Sequence, residues 1–325
     1  MLTLDEIVAA ERVVRTTLPP TPAIAWPLIE RRLGARVIVK HENHNPTGAF
    51  KVRGGLTFVD ELKRRNPTAK GLISATRGNH GQSLAFAGAR VGLPVTIYVP
   101  KGNSVEKNAA MRAYGAELVE FGDDFQAARE EAMAQADRLG LAAVPSFHRD
   151  LVRGVSTYAF ELLNAHPDLD VLYVSIGQGS GVAGCIAARD ALGLRTEIVG
   201  VQAKAAPAYA LSLEAGRPIT TPTCDTLADG MATRSPDAEA FSLIRAGVSH
   251  IALVSDDEIA AAIRVYWSDT HNLAEGAGAA PLAAALQERG RLAGRKVGLV
   301  LSGGNIDFPL FQSWAAAPGA LSPSH

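Results

Sequence analysis

Short apolar runs that alternate with amphipathic stretches constrain this chain more than any other feature. Gly71-Leu72-Ile73-Ser74 reads as a strand and Gly81 to Val91 as a helix. Val95-Thr96-Ile97-Tyr98-Val99 is a strand, and Val105 to Tyr114 a helix stopped by Gly115. Leu118-Val119-Glu120-Phe121 is a strand, and Asp123 to Leu139 a long helix. Further strands fall at Val171-Leu172-Tyr173-Val174, Glu197 to Val201 and Val297 to Leu301. Continuous Val/Ile/Leu strands separated by helices predict an α/β fold with mostly parallel sheets covered on both faces. The rhythm is interrupted at Ser146 to Asp150, so a domain border is expected near His148 to Gly154. The tail from Pro318 reads as disordered.

Function classes narrow quickly. A net charge of −1 with no long basic run argues against a nucleic-acid partner. No apolar stretch reaches the length of a membrane span, and the N-terminus lacks a signal-peptide pattern. Cys185 and Cys224 are too few for a disulfide framework or a cysteine metal site, which fits a reducing, cytoplasmic setting. Cys185 reads as a small core residue of an apolar helix. His44, His80, His148 and His271 show no metal-ligand spacing.

Four polar turns carry the chemistry. In the first, Asn45-Pro46-Thr47-Gly48-Ala49-Phe50-Lys51 leads a lysine to a helix start that Thr47 can cap. A lysine partly desolvated there has a lowered pKa and can act as an amine nucleophile that forms a Schiff base. Alone, it would read as a surface lysine. In the second, Ile73-Ser74 runs into Thr76-Arg77-Gly78-Asn79-His80, polar groups at the carboxyl end of a strand, where open α/β sheets bind ligands.

The third turn runs from Val174-Ser175-Ile176 into Gly177-Gln178-Gly179-Ser180-Gly181, and a helix follows. Strand, glycine loop and helix N-terminus together make a phosphate site. Residues 179 to 184 also match the dinucleotide fingerprint G-x-G-x-x-G. That fingerprint expects an acid at the end of the next strand, where Gln202 stands, so a single phosphate is the better reading. The fourth turn, Ser302-Gly303-Gly304-Asn305, again puts a hydroxyl at the end of a strand.

Together the four segments resemble the fold-type II pyridoxal-phosphate enzymes, the tryptophan synthase β-like superfamily, and within it the serine/threonine dehydratases and serine racemases. The resemblance runs from Lys51 to Ser302. It implies two domains, each a mostly parallel twisted sheet flanked by helices, with the cofactor in the cleft between them. The larger would comprise residues 1–70 with 149–325, and a small mobile domain residues 71–148. It assigns the cofactor, pyridoxal 5'-phosphate, to Lys51 and its neighbour Phe50, to Asn79, to Gly177, Gln178, Gly179, Ser180 and Gly181, and to Ser302. Lys51 would also be the base on the substrate α-proton. Substrate contacts fall on Thr76, Arg77, Gly78, His80 and Arg153.

The implied reaction is dehydration and deamination of a β-hydroxy-α-amino acid such as L-threonine or L-serine. 3-Phenylserine and 3-hydroxyaspartate stay open as substrates. An amino-acid racemase is the alternative, but racemases of this kind carry a proton-shuttling serine where this chain has Arg77, a poor shuttle. A β-replacing synthase would show a Thr-Ser-Gly-Asn-Thr turn, and a non-catalytic ligand sensor would not need Lys51 and Ser302. Some relatives bind a divalent cation after Gly-Val-Glu. Here both carboxylate positions are lost, at Gln202 and Ala208, and no metal is expected. The resemblance also implies a homodimer. With no regulatory domain after the Ser302 strand, it points to a role in amino-acid catabolism.

Overall fold

The computed structural model describes residues 2–316, so the tail reading from Pro318 lies outside the described residues. Ten strands follow in chain order. They are β1 (Ala23–Ala25), β2 (Arg36–His41), β3 (Leu72–Ala75), β4 (Val95–Val99), β5 (Glu117–Glu120), β6 (Ala142–Ala143), β7 (Val171–Ser175), β8 (Glu197–Ala203), β9 (His250–Val254) and β10 (Lys296–Leu301). They form two sheets. One has six strands in the order β1-β2-β10-β7-β8-β9, and the other four in the order β5-β4-β3-β6. Only β1, on the edge, runs antiparallel to its neighbour; the other pairs are parallel.

The parallel reading holds for a physical reason. Val171 to Val174 in β7 and Val297 to Leu301 in β10 are buried on both faces, so neither strand shows an in-out alternation. Each fully buried Val or Leu contributes roughly 1.5–3 kcal/mol, which makes these central strands the firmest part of the frame. β1, β2, β6 and β9 went unread. β1 and β6 are only three and two residues long, too short to carry a period. β9 sits on a sheet edge and mixes His250 with apolar residues.

Two helices join the sheets at the site. The Lys51–Arg65 helix packs Val52, Leu56 and Val59 onto the four-stranded sheet's core. The Arg149–Ala165 helix gives Leu151 to that same core and Val152, Val155 and Leu162 to the core of the six-stranded sheet. The two helices touch backbone to backbone. A Cβ on Gly154 would lie 2.1 Å from the Arg53 carbonyl oxygen, and one on Gly54 2.8 Å from that of Leu151. Only glycine permits that approach.

Beneath Lys51 lies a buried ionic cluster. The Arg53 guanidinium donates to Glu42 at 2.7 and 3.0 Å and to Glu161 at 2.5 and 3.1 Å. Lys40 donates to Glu161 at 2.5 Å. Arg53 and Glu42 are fully buried. The cluster ties the turn at residues 42–45 to the first turn of the Lys51 helix.

Candidate active site

The turns that open on the site all follow carboxyl ends of parallel strands. Residues 76–78 follow β3, 176–179 follow β7, and 302–305 follow β10. The segment before Lys51 is held against the last of these. The Phe50 N–H donates to the Ser302 carbonyl at 3.0 Å, the Gly304 N–H to the Gly48 carbonyl at 2.9 Å, and Ala49 bridges to Gly303. These contacts set the start of the Lys51 helix against the end of β10.

Lys51 begins its helix, and its Nζ donates to Ser180 Oγ at 3.2 Å. Nζ also lies 5.1 Å from the centroid of the Phe50 ring. Burial pulls the amine down to about 8, against the pull of the Glu275 carboxylate. Thr47 does not cap the Lys51 helix, contrary to expectation. Its hydroxyl donates to the Ala49 carbonyl at 3.3 Å, and the N-cap is Phe50 with no side-chain bond.

The glycine loop is shaped by close backbone approach. A Cβ on Gly177 would sit 2.1 Å from the Gly230 carbonyl oxygen. Gly179 takes φ 98, in the left-handed region, and ends the loop as N-cap of the Ser180–Ala191 helix. That helix has no side-chain cap, so its first N–H groups point out unpaired by any residue of their own turn. The Gln178 carbonyl accepts from Tyr209 Oη at 3.0 Å, which braces the loop. Gly181 lies between Phe50 and Tyr158, whose hydroxyl donates to the Gly181 carbonyl at 3.1 Å.

Asn79 opens the Asn79–Arg90 helix and is held on both sides. Its Nδ2 donates to Glu275 Oε1 at 2.7 Å, and its Oδ1 accepts from Asn305 Nδ2 at 2.7 Å. Glu275 is the N-cap residue of the Gly276–Gln287 helix, and burial raises its carboxyl to about 7, against Lys107 and the Asn79 bond. Ser302 is buried at the end of β10. Thr76 is buried, and its hydroxyl accepts from the Gly78 N–H at 3.1 Å, fixing the turn. His80 is also buried. Burial first, and then the charge of Lys51, depress its pKa to about 3, so it stays neutral.

Arg77 is half exposed at the rim, 3.6 Å from Asp229, which also accepts from Lys107 at 2.8 Å. Lys107, Asp229, Glu275 and Asn305 line a small open cleft there. Burial works against the charge on Lys107, but Asp229 and Glu275 outweigh it and raise its pKa. Farther along the rim, Ser104 caps its own helix, accepting from the Lys107 N–H at 3.0 Å, and donates to Asp307 at 2.6 Å. Asp307 is the N-cap of the Phe308–Ala315 helix but makes no capping bond to it. The Phe308 N–H donates instead to Glu106 at 2.9 Å.

Arg153, expected to touch substrate, pairs instead with carboxylates on two helices. Its Nη1 lies 3.4 Å from Asp150 and 3.5 Å from Glu61. Glu61 is ten residues beyond Lys51 on one helix, about 15 Å along the axis. At the positions compared with the metal-binding pattern, Gln202 Oε1 accepts from the Ala210 N–H at 2.9 Å and Lys204 pairs with Glu258 at 3.0 Å. Cys185 is buried against Tyr158, and burial raises its thiol to about 12.

A family model described as pyridoxal-phosphate dependent enzyme matches residues 14–303. The chain belongs to this family. It is 38% identical over 308 residues to an L-threonine ammonia-lyase of Geobacter sulfurreducens, covering 94% of this chain and 76% of that one. It is 32% identical over 307 residues to an L-threo-3-hydroxyaspartate ammonia-lyase of Saccharomyces cerevisiae, covering 94% of each. A solved threonine deaminase from T.th. superposes with a TM-score of 0.89 at 33% identity, over 94% of this chain and 99% of that one. The two-sheet α/β architecture is that of the fold-type II pyridoxal-phosphate enzymes.

The residues present fit pyridoxal phosphate. The uncapped helix start and the glycine loop suit a phosphate, and a buried, easily neutralised amine suits an aldehyde. Sequence reasoning missed Glu275, Lys107 and Asp229, and gave Asn305 no role. The one available signal for Glu275 was a lone acid opening an Ala/Gly-rich helix, Ala274-Glu275-Gly276-Ala277-Gly278.

Proposed function

We propose that the chain is a pyridoxal-phosphate ammonia-lyase that dehydrates and deaminates a β-hydroxy-α-amino acid, with L-threonine and L-serine as first substrates. The observation that carries the reading is the Lys51 amine 3.2 Å from Ser180, at the open start of the glycine-loop helix. Bound pyridoxal phosphate supplies an electron sink for the α-carbon of a substrate amine. Gly177 to Gly181 would hold its phosphate, Asn79 and Ser302 its ring, and Lys51 Nζ would be its covalent anchor. Once released by the substrate amine, Nζ takes the α-proton. An amine drawn down to about 8 is neutral in useful amounts near neutral pH. Hydroxide leaves the β-carbon, and the released enamine hydrolyses to a 2-oxo acid and ammonia.

A serine on the ring nitrogen side, unlike an aspartate, does not force protonation there. That weaker sink suits rapid loss of a β-substituent. Arg77, paired with Asp229 at the rim, is no acid for a second proton exchange, which favours a lyase over a racemase. Arg77 also supports the second reading, a substrate with an extra carboxylate such as 3-hydroxyaspartate. That is the substrate named for the yeast relative.

The cleft between the two sheets is the proposed cofactor seat, with residues 71–148 as the small mobile domain against 1–70 and 149–325. A cytoplasmic homodimer acting in amino-acid catabolism completes the reading. The test is an absorbance spectrum of the purified protein with added pyridoxal phosphate, borohydride trapping on Lys51, and 2-oxo acid detection across a panel of β-hydroxy amino acids. A visible band with oxo acid formed is the expected result. A protein that stays colourless overturns the assignment.

A further inference from the structure

The Asn79 side chain belongs to a directed chain of hydrogen bonds with an unambiguous acceptor, the Thr47 carbonyl, at one end. At one end, the Thr47 carbonyl accepts from Asn305 Nδ2 at 2.8 Å. A carbonyl cannot donate, so the Asn305 amide has one allowed orientation. The same Nδ2 donates to Asn79 Oδ1 at 2.7 Å. At the other end, the Glu275 carboxylate accepts from Asn79 Nδ2 at 2.7 Å. Turning the Asn79 amide over would set donor against donor at Asn305 and oxygen against carboxylate at Glu275. The orientation thus follows from the Thr47 carbonyl through Asn305, and the Glu275 carboxylate agrees with it.

Two glycines make room for the two holding groups. A Cβ on Gly303 would lie 2.4 Å from Glu275 Oε1, and one on Gly48 2.3 Å from Asn305 Oδ1. Gly48 also takes φ 67, so its freedom is needed twice. An amide nitrogen carries two hydrogens, and Glu275 uses one. The other meets no acceptor among the described residues.

We infer that Glu275 and Asn305 are positioning residues that lock the Asn79 amide with one N–H free for the cofactor's ring oxygen. This rests on the proposed reading of Asn79 and Lys51 as cofactor ligands. Neither positioning residue touches the reacting atoms. Both act through Asn79.

The test is a pair of single variants and their combination. Asn305→Asp puts an acceptor where Asn79 Oδ1 now finds a donor. Glu275→Gln allows either orientation at the far end. Together they reverse the polarity on either side of Asn79, so its turned-over amide becomes the satisfied one, while the Thr47 carbonyl loses its donor. Each cofactor-free protein is titrated with pyridoxal phosphate by absorbance, and its thermal midpoint is recorded. Expected is a roughly tenfold loss of cofactor affinity in the double variant, with a smaller loss in each single. The visible band and its pH titration should also shift in whatever fraction binds. Glu275→Asp, which keeps the carboxylate, should retain the wild-type band. Wild-type affinity and an unshifted band in all variants would overturn the inference and leave the proposed function standing. A lowered thermal midpoint with an unshifted band would also overturn it, by reducing both residues to structural supports. A wild-type protein that binds no cofactor would remove both readings together.

Discussion

Lys51 Nζ and Ser180 Oγ face each other at 3.2 Å, although 129 residues separate them in the chain. The first opens a helix packed on the four-stranded sheet, and the second opens a helix that follows β7 of the six-stranded one. An amine and an uncapped helix start thus meet where the two sheets' helices come together.

The rate of cofactor capture should report the amine's environment. Burial lowers Lys51 from its ordinary 10.5 to about 8. Capture needs the neutral amine, so its rate should rise with pH and level off above about 8. Stopped-flow absorbance of cofactor-free protein mixed with pyridoxal phosphate measures this. An inflection near 10 would mean a solvated lysine. Lys51→Ala should give no borohydride-fixed adduct and lose at least about a thousandfold in turnover.

Glu275 gives a stability signature of opposite sense. Its folded-state value of about 7 lies above the ordinary 4.5, so the folded protein binds the proton more tightly. The contribution is fully present below about 4.5 and is lost as pH rises through 7. The stability of the cofactor-free wild type relative to Glu275→Gln should therefore fall between those limits. Denaturant midpoints taken at intervals from pH 4 to 8 check it, and a gap that widens with pH would contradict it.

Gly177→Ala places a methyl 2.1 Å from the Gly230 carbonyl, backbone that cannot swing aside. The loop must shift, and cofactor affinity should drop about a hundredfold while the fold survives. Equilibrium dialysis with circular dichroism separates the two effects.

Arg53→Met should be costly. It leaves Glu42 and Glu161 buried without their shared cation, a loss of about 3–5 kcal/mol. Urea unfolding measures it. A loss below about 1 kcal/mol would show that water reaches the cluster.

Arg153→Ala should leave kcat and KM within about twofold of wild type, because its charge is matched at Glu61 and Asp150. A large rise in KM in steady-state assays would return Arg153 to the substrate.

The strands were legible where both faces are buried, as at β4 and β7, since a continuous apolar run has one good explanation. The turns at Lys51, Asn79, Gly177 and Ser302 were legible because glycines and polar residues cluster at strand ends. Glu275 was not. Its role comes from meeting Asn79, 196 residues earlier in the chain, and no local pattern encodes that meeting. Arg153 shows the complementary difficulty. A charged residue near a motif looks functional until the helix phase turns it toward Glu61.

The caps at Ser104, Glu106, Asp307 and Phe308 are exchanged between two helix starts. An N-cap is worth about 0.5–2 kcal/mol. Asp307 is the residue type that caps its own helix, and it is lent to Ser104 while Glu106 covers the Phe308 N–H. Asp307 and Glu106 thus tie the turn at residues 104–107 to the start of the Phe308–Ala315 helix, so neither segment completes its caps without the other.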